Sequence, residues 1–297
     1  MSWRTVILTQ NAKISLRLNH LVVKTDQVKT VALEEISVLI IENPNIVMTG
    51  HLLNALSQYK ITTIICNEQH LPHSQLNLIY GHFRQPAIIK EQINWPNERK
   101  ELLWQKIIKQ KISNQKQVLQ RFYPNKDYTN FDKYIAYVEP GDITNREGHA
   151  AKVYFNELFG KEFIRGADTV NNWALNYGYA LLSSLITRII ITKGLLTELG
   201  IHHRNQYNSY NLSSDLMEVY RPFVDDLVKS NIVNEFGKDE RRVLIEIFNQ
   251  KIIIRGKKQY LANSIHIFVD SVIKYLTSEK ETAIHFPLIK REDEEGV

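Results

Sequence analysis

Cysteine is almost missing from this chain. Cys66 is the only one in 297 residues, which excludes an internal disulfide framework and points to a reducing cytoplasm. A secretory leader is not expected either, because MSWRTVILTQNAK has no charged segment followed by an apolar one. No apolar run approaches the length of a membrane span. The best, residues 180–191, is broken by Ser183, Ser184, Thr187 and Arg188. Internal repeats and low-complexity tracts are lacking as well. Hydrophobic residues make up 43% of the chain, enough for a sizeable core, and the length suggests about two domains.

Charge is present in quantity and unevenly placed. The net charge is +5, and residues 84–133 carry eleven Lys/Arg against five Asp/Glu. Glu292, Asp293, Glu294 and Glu295 make the C-terminal tail acidic. A basic middle with an acidic tail reads either as one face that meets an anionic partner or as a solvated helix face.

The first eighty or so residues read as strands. RTVILTQ, KISLRLNHLVVKT, TVALEEISVLIIEN and ITTIICN are β-branched runs broken by turns such as Asn19-His20. Leu52, Leu53, Leu56 and Tyr59 recur at helical spacing within residues 50–59. The expectation is a small, mostly antiparallel β domain over residues 1–82, whose apolar edges invite a second copy, then a linker over 83–96. From 97 to 297 the pattern predicts an α-helical domain with an acidic, loosely ordered tail. Asn97 is a candidate cap for a long basic helix with an apolar stripe of Leu103, Trp104, Ile107, Ile108 and Ile112. Further helices are expected from Thr144 to Gly160, over 168–193 with Gly178 at a close-packing point, and after a cap at Ser213 or Ser214. Pro222 should interrupt the last of these. Arg255-Gly256 reads as a hairpin turn ahead of a helix over 263–276. The fold class is α+β, with the larger helical domain carrying the functional site.

That site is sought in residues 200–225, GIHHRNQYNSYNLSSDLMEVYRPFVD. His202 and His203 stand a short loop ahead of a helix bearing Asp215 and Glu218, which lie three apart on roughly one face. An imidazole and carboxylates converging from a loop and a helix suit a divalent cation. Glu147 is a candidate third donor. Thr144-x-x-Glu147 also matches a capping box, yet Glu147 heads the row Ala151, Tyr154, Phe155, Leu158, where a buried carboxylate needs a partner. Asp215 equally suits the first turn of a helix, and a histidine near a carboxylate is common. The spacing alone leaves these readings open.

NREGHAAKVYF, VNNWALNYGYALL and the 200–225 block, in this order and at these separations, resemble the CRISPR-associated integrase of spacer acquisition, the Cas-one family. The resemblance spans the chain, and the compact length and double histidine are similar to members encoded beside a single-effector (type II) system. It implies that Glu147, His203 and Glu218 are the metal ligands and catalytic residues. Glu218 stands where the family often has aspartate. Asp215 and His202 are then supporting residues, Asp215 orienting a ligand.

The activity implied is insertion of short duplex DNA into a CRISPR array, by attack of a DNA 3′-hydroxyl on repeat phosphodiesters. Such in-line phosphoryl transfer asks little covalent work of a protein, and a hard ion, Mg²⁺ or Mn²⁺, stabilises the developing charge. Arg146, Lys152, Arg204, Arg221, Arg241 and Arg242 are candidates for the DNA backbone. The implied partners are double-stranded DNA, a second copy through the β domain, the small Cas-two subunit of the adaptation complex and other type II proteins. Two other readings remain: a stand-alone structure-selective DNA nuclease, and a non-catalytic DNA-binding scaffold.

Overall fold

The computed structural model describes residues 4–232, 234–280 and 282–289. The chain divides into two compact units, Met1–Gln85 with Ile191–Gly194, and Pro86–Ile190 with Leu195–Val297.

The first unit is built from two four-stranded sheets. One has the order β1 (Arg4–Leu8), β5 (Ile36–Ile41), β7 (Thr62–Cys66), β8 (Pro72–Leu76). The other runs β4 (Val28–Ala32), β3 (His20–Lys24), β2 (Lys13–Arg17), β6 (Val47–Met48). Leu8, Ile14, Leu21, Leu39 and Ile41 from the sheets, and Leu33 from the turn between β4 and β5, meet Leu52 and Leu56 of α1 (Gly50–Gln58) in one apolar core. The expected mostly antiparallel pairing is corrected here, because β1–β5, β5–β7 and β2–β6 are parallel. The physical sign was the unbroken ISVLII run of β5: buried on nearly every residue, it is a strand covered on both faces. Parallel neighbours need crossover connections, and α1 lies on the one between β5 and β7. The turn read at Asn19-His20 falls one residue earlier, on Leu18 and Asn19, both with positive φ, as a two-residue hairpin requires.

The second unit is mostly helical. Its central element is α3 (Asn97–Phe122), which buries Leu103, Trp104, Ile107, Ile108, Ile112, Val118 and Leu119. The residues read as a linker carry another helix, α2 (Gln85–Ile93). Asn97 starts α3 but its side chain does not cap it; the capping position is Pro96. Around α3 pack α4 (Thr129–Ala136), α5 (Arg146–Phe159), α8 (Arg221–Asn231) and α10 (Leu261–Thr277).

α6 (Val170–Thr192) corrects the expectation that no segment is long and apolar enough for a membrane. By length and composition it qualifies, yet 72% of its apolar window is buried in the fold, as in a core helix. At Gly178 an added Cβ would come within 2.4 Å of Val224 Cγ1, so only glycine lets α6 and α8 pack this closely. α7 (Asn211–Met217) begins before Ser213 and Ser214, neither of which caps it. Ser213 instead bonds Thr187, and Ser214 donates back to the Tyr210 carbonyl. A 3-10 turn over Glu218–Tyr220 joins α7 to α8. Pro222 has no N–H for the carbonyl four residues back, which accounts for the break.

The remaining elements are α9 (Lys238–Ile245) and the hairpin β9 (Lys251–Ile254) and β10 (Lys257–Tyr260), turned by Arg255 and Gly256 with positive φ. Residues 282–289 are tied down rather than loosely held. Leu288 N–H donates to the Ile253 carbonyl at 2.9 Å, and Asn114 Nδ2 donates to the Pro287 carbonyl at 3.1 Å. The acidic residues 292–295 lie outside the described residues.

Candidate active site

Three elements of the second unit converge on one buried cation. Lys111, from the middle of α3, is only 6% exposed. Its ammonium donates to Glu147 Oε1 at 2.5 Å and also to Glu218 Oε2. Glu218 is itself 4% exposed, and its Oε1 accepts from Arg221 Nε at 2.9 Å. Burial opposes charge on both Lys111 and Glu218. For Lys111 the two carboxylates more than offset burial, so its pKa is raised. For Glu218, Lys111 and then Arg221 outweigh burial and hold the carboxyl well below its usual range.

The chain around the carboxylates is shaped to release them for this contact. Asp142 accepts the N–H groups of Arg146 and Glu147 at 2.9 and 3.0 Å, and the Asn145 side chain accepts that of Gly148. These two residues cap α5, so the expected Thr144–Glu147 capping box is corrected: the Glu147 carboxylate is turned to Lys111. Asn114, one turn after Lys111, donates to the Val219 carbonyl at 3.0 Å and pins the turn that presents Glu218.

A second cluster gathers on Asp215, which is fully buried. Its carboxylate accepts the backbone N–H groups of Ile201, His202 and His203 at 2.5, 3.0 and 3.1 Å. It also pairs with His203 Nδ1 at 2.5 Å. Gly200 makes this wrap possible, since a Cβ there would lie 2.4 Å from the His203 carbonyl oxygen and 2.7 Å from Asp215 Oδ2. The Asp215 hydrogen bond raises the His203 pKa, whereas burial lowers that of His202. His202 stacks flat on Trp104, ring centroids 4.3 Å apart. Trp104 also meets the His203 ring edge-on at 5.6 Å, but only His203 pairs its ring with Asp215, through Nδ1, which keeps its Nε2 free of that contact.

The three expected ligands are not gathered as one cluster. Among the described residues no group of three His, Cys, Asp or Glu side chains is placed to hold a metal ion. Glu147 and Glu218 meet on Lys111, and His203 meets Asp215. The donor set nonetheless fits a hard divalent ion, because two carboxylates already share one cation and an imidazole is fixed through its other nitrogen.

Of the basic candidates, Arg221 is engaged with Glu218 and lies over the Tyr179 ring at 4.6 Å, so it braces the site. Arg146 begins α5, and Arg242 pairs with Asp239 on α9, which also carries Arg241. Lys152 and Arg204 are exposed. Arg204 lines a cleft of about 430 Å³ with Lys100, His203, Asn205, Gln206 and Asn211. Burial, and then Arg204, lowers the Lys100 pKa, as expected for two cations facing one recess.

Lys111 was not among the residues expected here. Its signal was available: it stands seven residues after Trp104 and four after Ile107, inside the apolar stripe, where a lysine needs a carboxylate.

Known proteins match this chain closely. The family described as CRISPR associated protein Cas1 matches residues 5–254. A CRISPR-associated endonuclease Cas1 from Neisseria meningitidis serogroup C (strain 8013) is 37% identical over 226 residues, 76% of this chain and 74% of that protein. Among solved structures, a casposase bound to integration product superposes with a TM-score of 0.76 at 20% identity, covering 95% of this chain and 92% of that one. A chain of a Cas6-RT-Cas1–Cas2 complex superposes with a TM-score of 0.66 at 19% identity, covering 92% of this chain and 35% of that one. At such identities the structures speak for the fold.

Proposed function

The chain belongs to the CRISPR-associated Cas1 family of nucleases and integrases, and from that premise we propose that it is a divalent-metal-dependent DNA integrase of spacer acquisition. It inserts short duplex DNA into a CRISPR repeat. The single observation that carries the reading is the pair of carboxylates, Glu147 and Glu218, drawn from two helical segments onto one buried cation with His203 held alongside by Asp215.

The reaction is a transesterification. A DNA 3′-hydroxyl forms a bond to a repeat phosphorus, the existing P–O3′ bond breaks, and the proton lost by the attacking hydroxyl balances the one gained by the leaving oxygen. Glu147, His203 Nε2 and Glu218 would hold Mg²⁺ or Mn²⁺, which when bound neutralises charge on the phosphoryl oxygens. The chain's own work is orientation. Asp215 fixes the His203 ring and the loop behind it, Asn114 fixes the Glu218 turn, and Asp142 and Asn145 fix the start of α5. Lys100 and Arg204, in the cleft beside His203, are suited to a DNA phosphate, which would relieve their mutual repulsion.

The protein works in the cytoplasm on double-stranded DNA, beside a small Cas2 subunit and other proteins of a type II system, as a homodimer through the β unit. The Cas2-containing neighbour supports the small-subunit part of this assignment. The test mixes purified protein, with and without the small subunit, with a short duplex and a repeat-bearing plasmid. Joined product that requires the repeat supports the integrase. Cutting of branched DNA with no joining and no need of a partner would make it a stand-alone nuclease. Binding without chemistry would leave a scaffold.

A further inference from the structure

We propose that Lys111 is the positioning residue of this site and that a divalent ion enters it by displacing the Lys111 ammonium. The inference rests on the proposed function only in taking the site to bind such an ion.

The argument begins with placement. Lys111 projects from the buried stripe of α3, and its side chain is 7% exposed. Its ammonium reaches one oxygen of each carboxylate, Glu147 Oε1 and Glu218 Oε2, and so spans them as a shared cation would. The other Glu218 oxygen belongs to Arg221. Lys111 and Arg221 together balance Glu147 and Glu218, and the four groups are neutral without any ion.

Charge then dictates exchange. A dication sharing these carboxylates with the ammonium would leave two uncompensated positive charges where water screens them poorly. Withdrawal of Lys111 relieves that repulsion and frees the two oxygens for the ion. A lysine suits the task because its four-carbon stem is flexible and its ammonium makes no rigid fork, unlike arginine. An acceptor for the displaced ammonium stands one turn on. Gln115 shares the face of α3 with Lys111, is 2% exposed, and its Oε1 has no hydrogen-bond partner.

The device has two consequences. Without metal, the ammonium keeps the buried Glu218 carboxylate and the half-buried Glu147 carboxylate from repelling each other and holds them side by side. With metal, the ion must outcompete a bound cation, which sets a threshold below which the site stays closed.

The test uses the full chain without DNA. Mn²⁺ binding is followed by electron paramagnetic resonance, and melting is recorded in EDTA and in Mn²⁺, for wild type and Lys111→Met. The expected result is Mn²⁺ binding at least about tenfold tighter in the variant. In EDTA the variant should melt below wild type, with the deficit recovered in Mn²⁺. Equal or weaker Mn²⁺ binding in Lys111→Met would overturn the inference while leaving the metal site standing. Absence of Mn²⁺ binding in both proteins would overturn the metal reading itself. Should the variant fail to fold in either buffer, nitrogen-15 NMR of the wild-type lysine ammonium groups decides: the Lys111 resonance moves on saturation with Mg²⁺ if it is displaced, and an unmoved resonance contradicts displacement.

Discussion

The two units bury different things. Among the described residues, the β unit buries one charged side chain, Glu42, and the helical unit buries Lys111, Asp142, Arg188, Asp215, Glu218, Asp225 and Asp226. The first is stabilised by area removed from water, at roughly 25 cal/mol per Å². The second accepts desolvated charge that must be paired to be tolerated. The difference teaches where to look for chemistry: buried carboxylates with individual partners are held for a task, and an apolar core is held for itself.

Four substitutions test this contrast, from the largest effect to the smallest. Glu218→Ala leaves Arg221 without its carboxylate and Lys111 with Glu147 alone. It should destabilise the protein by about 3–5 kcal/mol and abolish strand transfer, as read by denaturant melts and a joining assay. Leu39→Ala, in the fully buried centre of the β sheet, should cost about 2–5 kcal/mol through its cavity. Unlike Glu218→Ala, its cost should not change when metal is added to the melt. Asp215→Asn replaces an acceptor of three N–H groups and one ring nitrogen by an amide that matches them poorly. The expected loss is about 1–3 kcal/mol, with slower joining and DNA binding retained. Equal joining in this variant and wild type would show that His203 needs no such support.

The last substitution concerns pH. Burial pushes the Asp225 carboxyl up to about 7, against the hydrogen bond from Tyr179. Its folded pKa therefore lies above the unfolded value of about 4. The stability this group lends is full below the unfolded value and is lost as pH rises to about 7. Asp225→Asn should flatten that decline, so its melting temperature relative to wild type improves between pH 5 and pH 8. A parallel decline in both proteins would show that Asp225 is not the source.

Much of the fold was legible because it is local. The stripe of α3, the Gly160 stop of α5, the close-packing role of Gly178 and the Arg255-Gly256 hairpin follow from periodicity and backbone freedom. Strand direction in the β unit was not legible, since β1 pairs with β5 across the whole β2–β4 meander. Glu147, His203, Asp215 and Glu218 were legible as a pattern of residue types. Their pairing was not: Lys111 lies 36 residues before Glu147 and 107 before Glu218, so its place in the apolar stripe marks a buried lysine without naming the carboxylates it meets. Asp142 was hidden because its capping role depends on a positive φ.

The most direct measurement of the central claim sets joining against binding in one variant. Strand transfer and DNA affinity are measured side by side for wild type and Glu147→Ala, in Mn²⁺ and in EDTA. Joining by wild type in Mn²⁺ only, none by Glu147→Ala, and nearly equal DNA affinity throughout is the predicted result, because phosphate contacts rather than the ion carry affinity. Joining by Glu147→Ala at the wild-type rate, or joining by wild type in EDTA, would contradict a metal-dependent integrase centred on Glu147.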